Sequence, residues 1–368
     1  MLRLAIEFIR PGMELARDIL GKEGQTVLTA GVKLIPRHIE ILQKWDIASA
    51  YIVNPLFELP SVDEVMQEKV RNKVLQSVKS IFDKAAKVGT FNLAGEHQEQ
   101  VKTIIKEVVL KRSNIIHLAQ INRHRDDGLT HSINVAVLST VIAVTMGHNR
   151  DNIYPLTLGA LLHDFGKVFV PKNILAKPAL TQDEFEVLNN HTVYGYEALK
   201  KIEGFPLLAA HIAFQHHERF DGSGFPRKLA GNDITTFARI VSVANEFDNL
   251  VAGTAGIPGM EMHLAYEAIV AQVNSAFDPD VAKAFLSKIA LYPVGTYVHL
   301  TTGQVGVVTK VVPLAQHRPS VKIIADESGL LAQSVDIDLV SRENLTMFIK
   351  DVLNDSEKAT LLEKSLIS

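Results

Sequence analysis

The sequence predicts a multidomain, mainly α protein, with a long helical region preceded by a small α+β unit and followed by a small β-rich domain. Three observations carry that reading. The chain has 368 residues, enough for two or three domains at about 100–200 residues each. Apolar residues recur at helical spacing through much of the stretch from 59 to 290. The period then falls to two between 292 and 345. The expected units are 1–58, α+β; 59–115, connecting helices; 116–290, the helical domain; and 291–368, β-rich with a terminal helix.

Taken in order, Thr26, Val27 and Leu28 lie between Gly21, Gly24 and Gly31, which suggests strands and turns. Arg37 to Trp45 reads as a short helix, Ala50 to Val53 as a strand, and Pro55 and Pro60 punctuate the exit. Ser61 and Glu64 form a capping-box pattern, so a helix is expected from Ser61, with Val70, Val74, Val78 and Ile81 on its apolar face. Val101, Ile104, Ile105 and Val108 mark a second amphipathic helix. From 116 onwards helix follows helix. Thr181 and Glu184 make another capping box, Pro206 suits a first helical turn, and Gly222 to Pro226 forces a loop. Val305, Val307, Thr309 and Val311 alternate with their neighbours, and Val321 to Ile324 and Ile337 to Val340 add strand candidates. A small antiparallel barrel or sheet is expected there.

Composition narrows the chemistry. Hydrophobic residues are 47% and charged residues 21%, which excludes wholesale disorder. With 38 Lys and Arg against 41 Asp and Glu, the net charge is −3 and provides no global field to hold long nucleic acid. The absence of cysteine removes disulfides, thiolate zinc sites and cysteine nucleophiles. Arg3, Glu7 and Arg10 break the first apolar stretch, so no signal peptide is expected. The stretch Ile133 to Met146 is shorter than the ~20 residues of a membrane span. The expected location is cytoplasmic.

Fourteen histidines direct attention to their neighbourhoods. His163-Asp164 sits within Leu161-Leu162 and Phe165-Gly166-Lys167, and His216-His217 precedes Glu218 and the loop Asp221-Gly-Ser-Gly224. Adjacent residues on a helix lie about 100° apart, so His163 and Asp164 can lean towards one point. An aspartate in apolar surroundings is costly unless paired or metal-bound. His131 and His191 could complete the shells. Six such ligands exceed what one metal needs, which argues for at least a dinuclear nitrogen- and oxygen-liganded centre. A centre of that kind generates a metal-bridging hydroxide and clamps a phosphoryl group for in-line attack. His38, His97, His117, His124, His148, His211, His263, His299 and His317 are read as ordinary surface or core residues.

These motifs, together with Lys177-Pro178, Leu180-Thr181, His191 followed by Gly195, and Gly224-Phe225-Pro226, resemble the HD-GYP subgroup of the HD-domain metal-dependent phosphohydrolases over residues 120–255. The resemblance implies an all-helical HD-type bundle around two or three divalent metal ions, iron or manganese. It implies hydrolysis of a cyclic dinucleotide, chiefly cyclic di-GMP, to pGpG or GMP. It carries metal-ligand roles to His131, His163, Asp164 (the bridging ligand), His191, His216 and His217, and places Lys167 at the scissile phosphate. Asp127, four residues before His131, matches a carboxylate that in some members recruits a third metal. Lys177, Gly224, Phe225 and Pro226 fall to substrate binding. Asn245 stands where the family has its last ligand aspartate, and Phe225 where it has a tyrosine. Two other functions stay open: a catalytically weak effector that binds the dinucleotide, and a phosphohydrolase acting on another nucleotide. The terminal domains are expected to serve packing, homodimerisation or a signalling partner.

Overall fold

The computed structural model describes residues 2–21, 26–45, 47, 49–53, 65–93, 95–111, 128–177, 179–254, 257–312 and 315–367. Its helices, in chain order, are α1 (Pro36–Lys44), α2 (Glu68–Val88), α3 (Gly95–Leu110), α4 (Gly128–Thr145), α5 (Arg150–Leu161), α6 (Lys172–Leu175) and α7 (Gln182–Asn189). They continue with α8 (His191–Leu199), α9 (Leu207–Gln215), α10 (Thr236–Ala252), α11 (Met262–Ala271), α12 (Pro279–Leu286) and α13 (Asp355–Ile367). The strands are β1 (Leu2–Ala5), β2 (Ile19–Leu20), β3 (Thr26–Leu28), β4 (Ser49–Ile52), β5 (Gly253–Thr254) and β6 (Ile257–Pro258), followed by β7 (Tyr297–Leu300), β8 (Val305–Lys310), β9 (Ser320–Asp326), β10 (Gly329–Asp338) and β11 (Ile349–Val352). The mainly α, multidomain class expected from the sequence is borne out.

The chain divides into two units, Glu64–Ile289 and a second made of Met1–Asp63 with Ala290–Ser368. The helical unit is built around α4. Every residue from Ser132 to Ala143 is buried, so this helix is apolar all round because it is enclosed by others. By length and composition alone α4 could cross a membrane, but it is mostly buried inside this unit. Its polar residues are satisfied locally: Thr140 Oγ1 donates to Ala136 O at 2.6 Å and lies 2.8 Å from Thr157 Oγ1 of α5. Helices α5 and α9 meet at Gly159, where a Cβ would lie 2.8 Å from Ala209 O. The connecting helices expected as a separate segment share this core, since Val74, Val78 and Ile81 of α2 and Val101 and Ile104 of α3 pack with α4 residues.

In the other unit, the first and last stretches of sequence form one core. Leu4, Leu15, Leu34, Leu42 and Ile52 pack with Tyr297, Val307, Ile324, Leu353 and Leu362. β1 pairs antiparallel with β4, and the Ala5 amide donates to Asp355 Oδ2 at 2.9 Å, tying β1 to α13. The expected separation of 1–58 from 291–368 gives way to this shared core. The five later strands form an antiparallel sheet in the order β10-β9-β8-β7-β11. Both faces carry apolar clusters, Val307 on one and Val308 with Val298, Val321 and Ile323 on the other. The in-out alternation expected along β8 is therefore absent, and Gly306, Val307 and Val308 are all buried.

Some boundaries shift. Ser61 to Glu64 lie outside the described residues, and the helix expected from Ser61 begins at Glu68, with Gln67 as its N-cap. Pro206 is the N-cap of α9 and not a residue of its first turn. The strand expected through Val340 stops at Asp338, and Leu339 is buried in the turn that follows. The Thr181 capping box is present in full, with Thr181 Oγ1 accepting from the Glu184 amide and Glu184 Oε2 from the Thr181 amide.

Candidate metal centre

Five elements of the helical unit converge on Asp164. His131 lies in the first turn of α4. His163 and Asp164 lie in the turn after α5, which continues as a 3-10 segment, Phe165–Phe169. His191 opens α8, and His216 and His217 follow α9. Asn245 and Asp248 lie one turn apart on α10. The turn is fixed from two sides. Phe165 is held edge-on by Phe82 of α2 and by Phe91, with ring centroids 5.7 and 5.2 Å away. Gly166 lies against the start of α8, where a Cβ would sit 1.8 Å from His191 O and 2.5 Å from Gly195 N. Only glycine allows that approach.

Ligand-type atoms gather in two groups that share Asp164. One atom from each of Asp164, His191, His216 and His217 lies within 4.8 Å of the others, and the same holds for His131, His163 and Asp164. Asp164 Oδ1 faces His191 Nε2 at 3.3 Å and His216 Nε2 at 3.7 Å. Oδ2 faces His163 Nε2 at 3.4 Å and His131 Nε2 at 3.9 Å. The two carboxylate oxygens thus serve different clusters, as a carboxylate shared by two cations would.

Backbone carbonyls set the orientation of three rings. Nδ1 of His163 meets Ala160 O at 2.8 Å, Nδ1 of His191 meets Leu188 O at 2.6 Å, and Nδ1 of His216 meets Ala213 O at 3.0 Å. A carbonyl only accepts, so each Nδ1 is protonated and each Nε2 offers its lone pair inward, the tautomer a metal requires. His163 Nε2 and Asp164 Oδ1 are buried without a well-formed hydrogen bond, a costly state that a bound cation would relieve. Burial pushes the His216 imidazole down to about 3, and burial likewise lowers His163, with Asp164 opposing in both cases. His217 is held well below the usual imidazole range by burial and then by His216 and His191. For Asp164, burial acts upward, but the Lys167 ammonium and the His163 imidazole outweigh it and hold the carboxyl well below its ordinary range. These residues fit divalent ions that accept imidazole nitrogen and carboxylate oxygen.

His131 is anchored differently. Its Nδ1 lies 2.6 Å from Asp248 Oδ2 and its Nε2 2.9 Å from Asn245 Oδ1. Burial acts downward on this imidazole, and the Asp248 and Asp164 carboxylates outweigh it and raise it above the usual value. Asp248 is fully buried and accepts from Asn134 Nδ2 at 3.0 Å. Sequence reasoning assigned roles to neither Asp248 nor Asn134. The available signal was their three-residue spacing from Asn245 and His131.

Lys167 Nζ lies 2.5 Å from Asp164 Oδ2, on the margin of the cluster. Lys177, expected at the substrate, gives its ammonium to Glu184 Oε1 at 2.5 Å, outside the cluster around Asp164. The Phe225 ring stacks on His217, with centroids 4.6 Å apart and planes 17° apart, and its peptide bond to Pro226 is cis. Gly224 packs where a Cβ would lie 2.3 Å from Arg219 N. Glu218, buried and unassigned from sequence, holds this loop by accepting from the Arg227 and Leu229 amides at 2.8 and 3.0 Å. Asp127 lies outside the described residues.

A helical domain in which two histidine clusters share one aspartate has the make-up of a metal-binding domain. Residues 102–281 match the family described as HD domain, and residues 297–361 match the KOW domain associated with HD domain. Residues 102–281 thus carry an HD domain, which bears out the resemblance read from the motifs. It is 31% identical over 269 residues to the cyclic di-GMP phosphodiesterase PA4108 of Pseudomonas aeruginosa, covering 70% of this chain and 64% of that one. It is 35% identical over 179 residues to the cyclic di-GMP phosphodiesterase response regulator RpfG of Xanthomonas campestris pv. campestris, covering 48% of this chain and 47% of that one. The chain thus spans less than two thirds of either relative. Its fold resembles Bd1817, described as a HDG"Y"P protein from Bdellovibrio bacteriovorus, with a TM-score of 0.50 and 16% identity over 77% of this chain and 98% of that one.

Proposed function

We propose that this protein is a metal-dependent phosphodiesterase that hydrolyses a cyclic dinucleotide, cyclic di-GMP or a mixed relative of it, to the linear dinucleotide or the mononucleotide. The observation that carries the reading is the sharing of Asp164 between two imidazole clusters. Divalent ions held on its two sides would supply Lewis acidity and an activated water for in-line attack at phosphorus. His163, His216 and His217, all depressed by burial, present neutral nitrogens without competing for protons at neutral pH. Lys167, beside Asp164, supplies a fixed cation where charge develops on the phosphoryl oxygens. Phe225, stacked on His217, provides an aromatic wall for a base, while Gly224 and Pro226 shape the loop beneath it. Lys177 serves the substrate only by leaving Glu184. The donor set is rich in imidazole and poor in carboxylate, which favours iron over manganese. The action on a second messenger implies a cytoplasmic, bacterial setting, with the β-rich unit serving a signalling partner or homodimer.

Asn245 favours a second reading, a weakly catalytic effector, because an amide in place of a carboxylate removes one negative charge from the centre. Metal analysis of anaerobically purified protein, with turnover of cyclic di-GMP on the same sample, separates the two. The expected result is bound metal with turnover, and loss of both in Asp164→Ala. A metal-loaded protein that binds cyclic di-GMP without turnover, and gains activity only in Asn245→Asp, would overturn the enzyme reading.

A further inference from the structure

A line of hydrogen bonds runs from α2 to the metal cluster. Arg71 Nη1 donates to Asn134 Oδ1 at 2.8 Å, Asn134 Nδ2 donates to Asp248 Oδ1 at 3.0 Å, and Asp248 Oδ2 lies 2.6 Å from His131 Nδ1. The direction of this line is fixed at one end. A guanidinium can only donate, so the Asn134 amide must turn its oxygen to Arg71 and its nitrogen to Asp248. The Asp248 carboxylate, already accepting from Asn134 Nδ2 on one oxygen, accepts from His131 Nδ1 on the other, which leaves Nε2 facing Asn245 Oδ1 at 2.9 Å and Asp164 Oδ2 at 3.9 Å. Asn134 is 4% exposed and Asp248 is fully buried, so solvent is not at hand to substitute for a lost partner.

We propose that Arg71 is a positioning residue for the metal ligand His131, acting through Asn134 and Asp248. The proposal rests on the reading of the His131, His163 and Asp164 cluster as one half of a metal centre. Without Arg71, the buried Asn134 oxygen loses that donor and the side chain is free to turn away from Asp248, which loosens the line that aims the imidazole. The effect is confined to the half of the centre that His131 serves. His191 and His216 are oriented by the carbonyls of Leu188 and Ala213, which this line does not touch.

The test is a chelator-competition titration of the full chain with a divalent metal, Fe²⁺ under anaerobic conditions or Co²⁺ followed by its visible spectrum, alongside thermal unfolding. In the wild type, two equivalents are expected. Arg71→Met should weaken one of them roughly tenfold, as outer partners of metal ligands do, and leave the other unchanged. Arg71→Lys, which keeps a donor, should recover part of the loss. In an Asp248→Asn background, Arg71→Met should add nothing further, because the line is already broken. The proposal is overturned by unchanged affinity in Arg71→Met, by equal weakening of both equivalents, or by full additivity with Asp248→Asn. A wild type that takes up no metal removes the metal-centre reading itself, and the positioning role with it.

Discussion

Replacing Gly166 by alanine adds one carbon atom to a residue that is itself no metal ligand, yet the structure requires that atom to dismantle half the centre. The new Cβ would lie 1.8 Å from His191 O and 2.5 Å from Gly195 N, both backbone atoms that cannot swing aside. The contact with the carbonyl must open by roughly 1.2 Å to reach even the shortest tolerated separation. Metal-ligand distances tolerate about 0.2 Å. The start of α8 and the turn carrying Asp164 therefore separate by several times the tolerance, and His191 leaves the position it shares with Asp164, His216 and His217. Gly166→Ala should lose the equivalent of metal held by that cluster, retain the one held by His131 and His163, and keep its helical circular dichroism. Gly195→Ala is the matched control. Its Cβ meets Gly166 N at 3.1 Å and Ala213 Cβ at 3.4 Å, gaps that close with shifts of a few tenths of an ångström. Elemental analysis and a metal titration of both variants decide the matter. Wild-type metal content and affinity in Gly166→Ala would refute the claim that this close contact sets the centre's geometry.

Lys167→Ala should leave metal content intact while lowering kcat for cyclic di-GMP by roughly 10²-fold, the scale of one electrostatic stabiliser; unchanged kcat would remove Lys167 from the mechanism. Acid should destabilise the chelator-treated protein. His163, His216 and His217 are depressed in the fold, so below the ordinary imidazole value of 6.5 the unfolded chain takes up protons that the folded chain refuses. An imidazole that stays neutral in the fold then costs about 1 kcal/mol per pH unit. His131 is raised and runs the other way, holding its stabilisation below 6.5 and losing it as pH rises through its folded value, one group against three. Urea midpoints should fall from pH 6.5 towards pH 5; a level midpoint over that range would contradict the neutral cluster.

The parts of the site legible in the sequence are those written as contiguous patterns. His163-Asp164 and His216-His217 stand out because adjacent polar groups inside apolar runs are costly to bury without a partner or a ligand, and the geometry brings them together with His131 and His191. Asp248, Asn134 and Arg71 were illegible for the opposite reason. Each is a single polar residue on a helix, where a solvated face accounts for it equally well, and only the packing of α2, α4 and α10 reveals that they meet. The loop tie made by Glu218 was hidden in the same way, since backbone amides leave no mark in a sequence. Lys177 was placed at the substrate by its motif, whereas the neighbouring capping-box residue Glu184 takes its charge. At the level of fold, capping and periodicity fix individual helices such as α3 and α7, but no local pattern announces that Leu4 and Leu15 share a core with Tyr297 and Leu353. β8 misled for a related reason, because a sheet covered on both faces has no wet side to print alternation into its sequence.

That shared core bears on how the protein is made. Synthesis proceeds from the first residue, so β1, β4 and α1 leave the ribosome before the whole of Glu64–Ile289. At about 5–20 residues per second, the partners of Leu4, Leu15 and Ile52 arrive roughly 10–50 s later. During that interval the early strands offer an apolar face and unpaired edges to whatever is nearby, including a neighbouring nascent chain on the same message. The helical segment, whose core is built from its own residues, can complete that core in the meantime. The vulnerable period in the life of this molecule is therefore the wait of its opening segment, and holdase chaperones that cover short apolar strands should matter more to its yield than those acting on the finished fold.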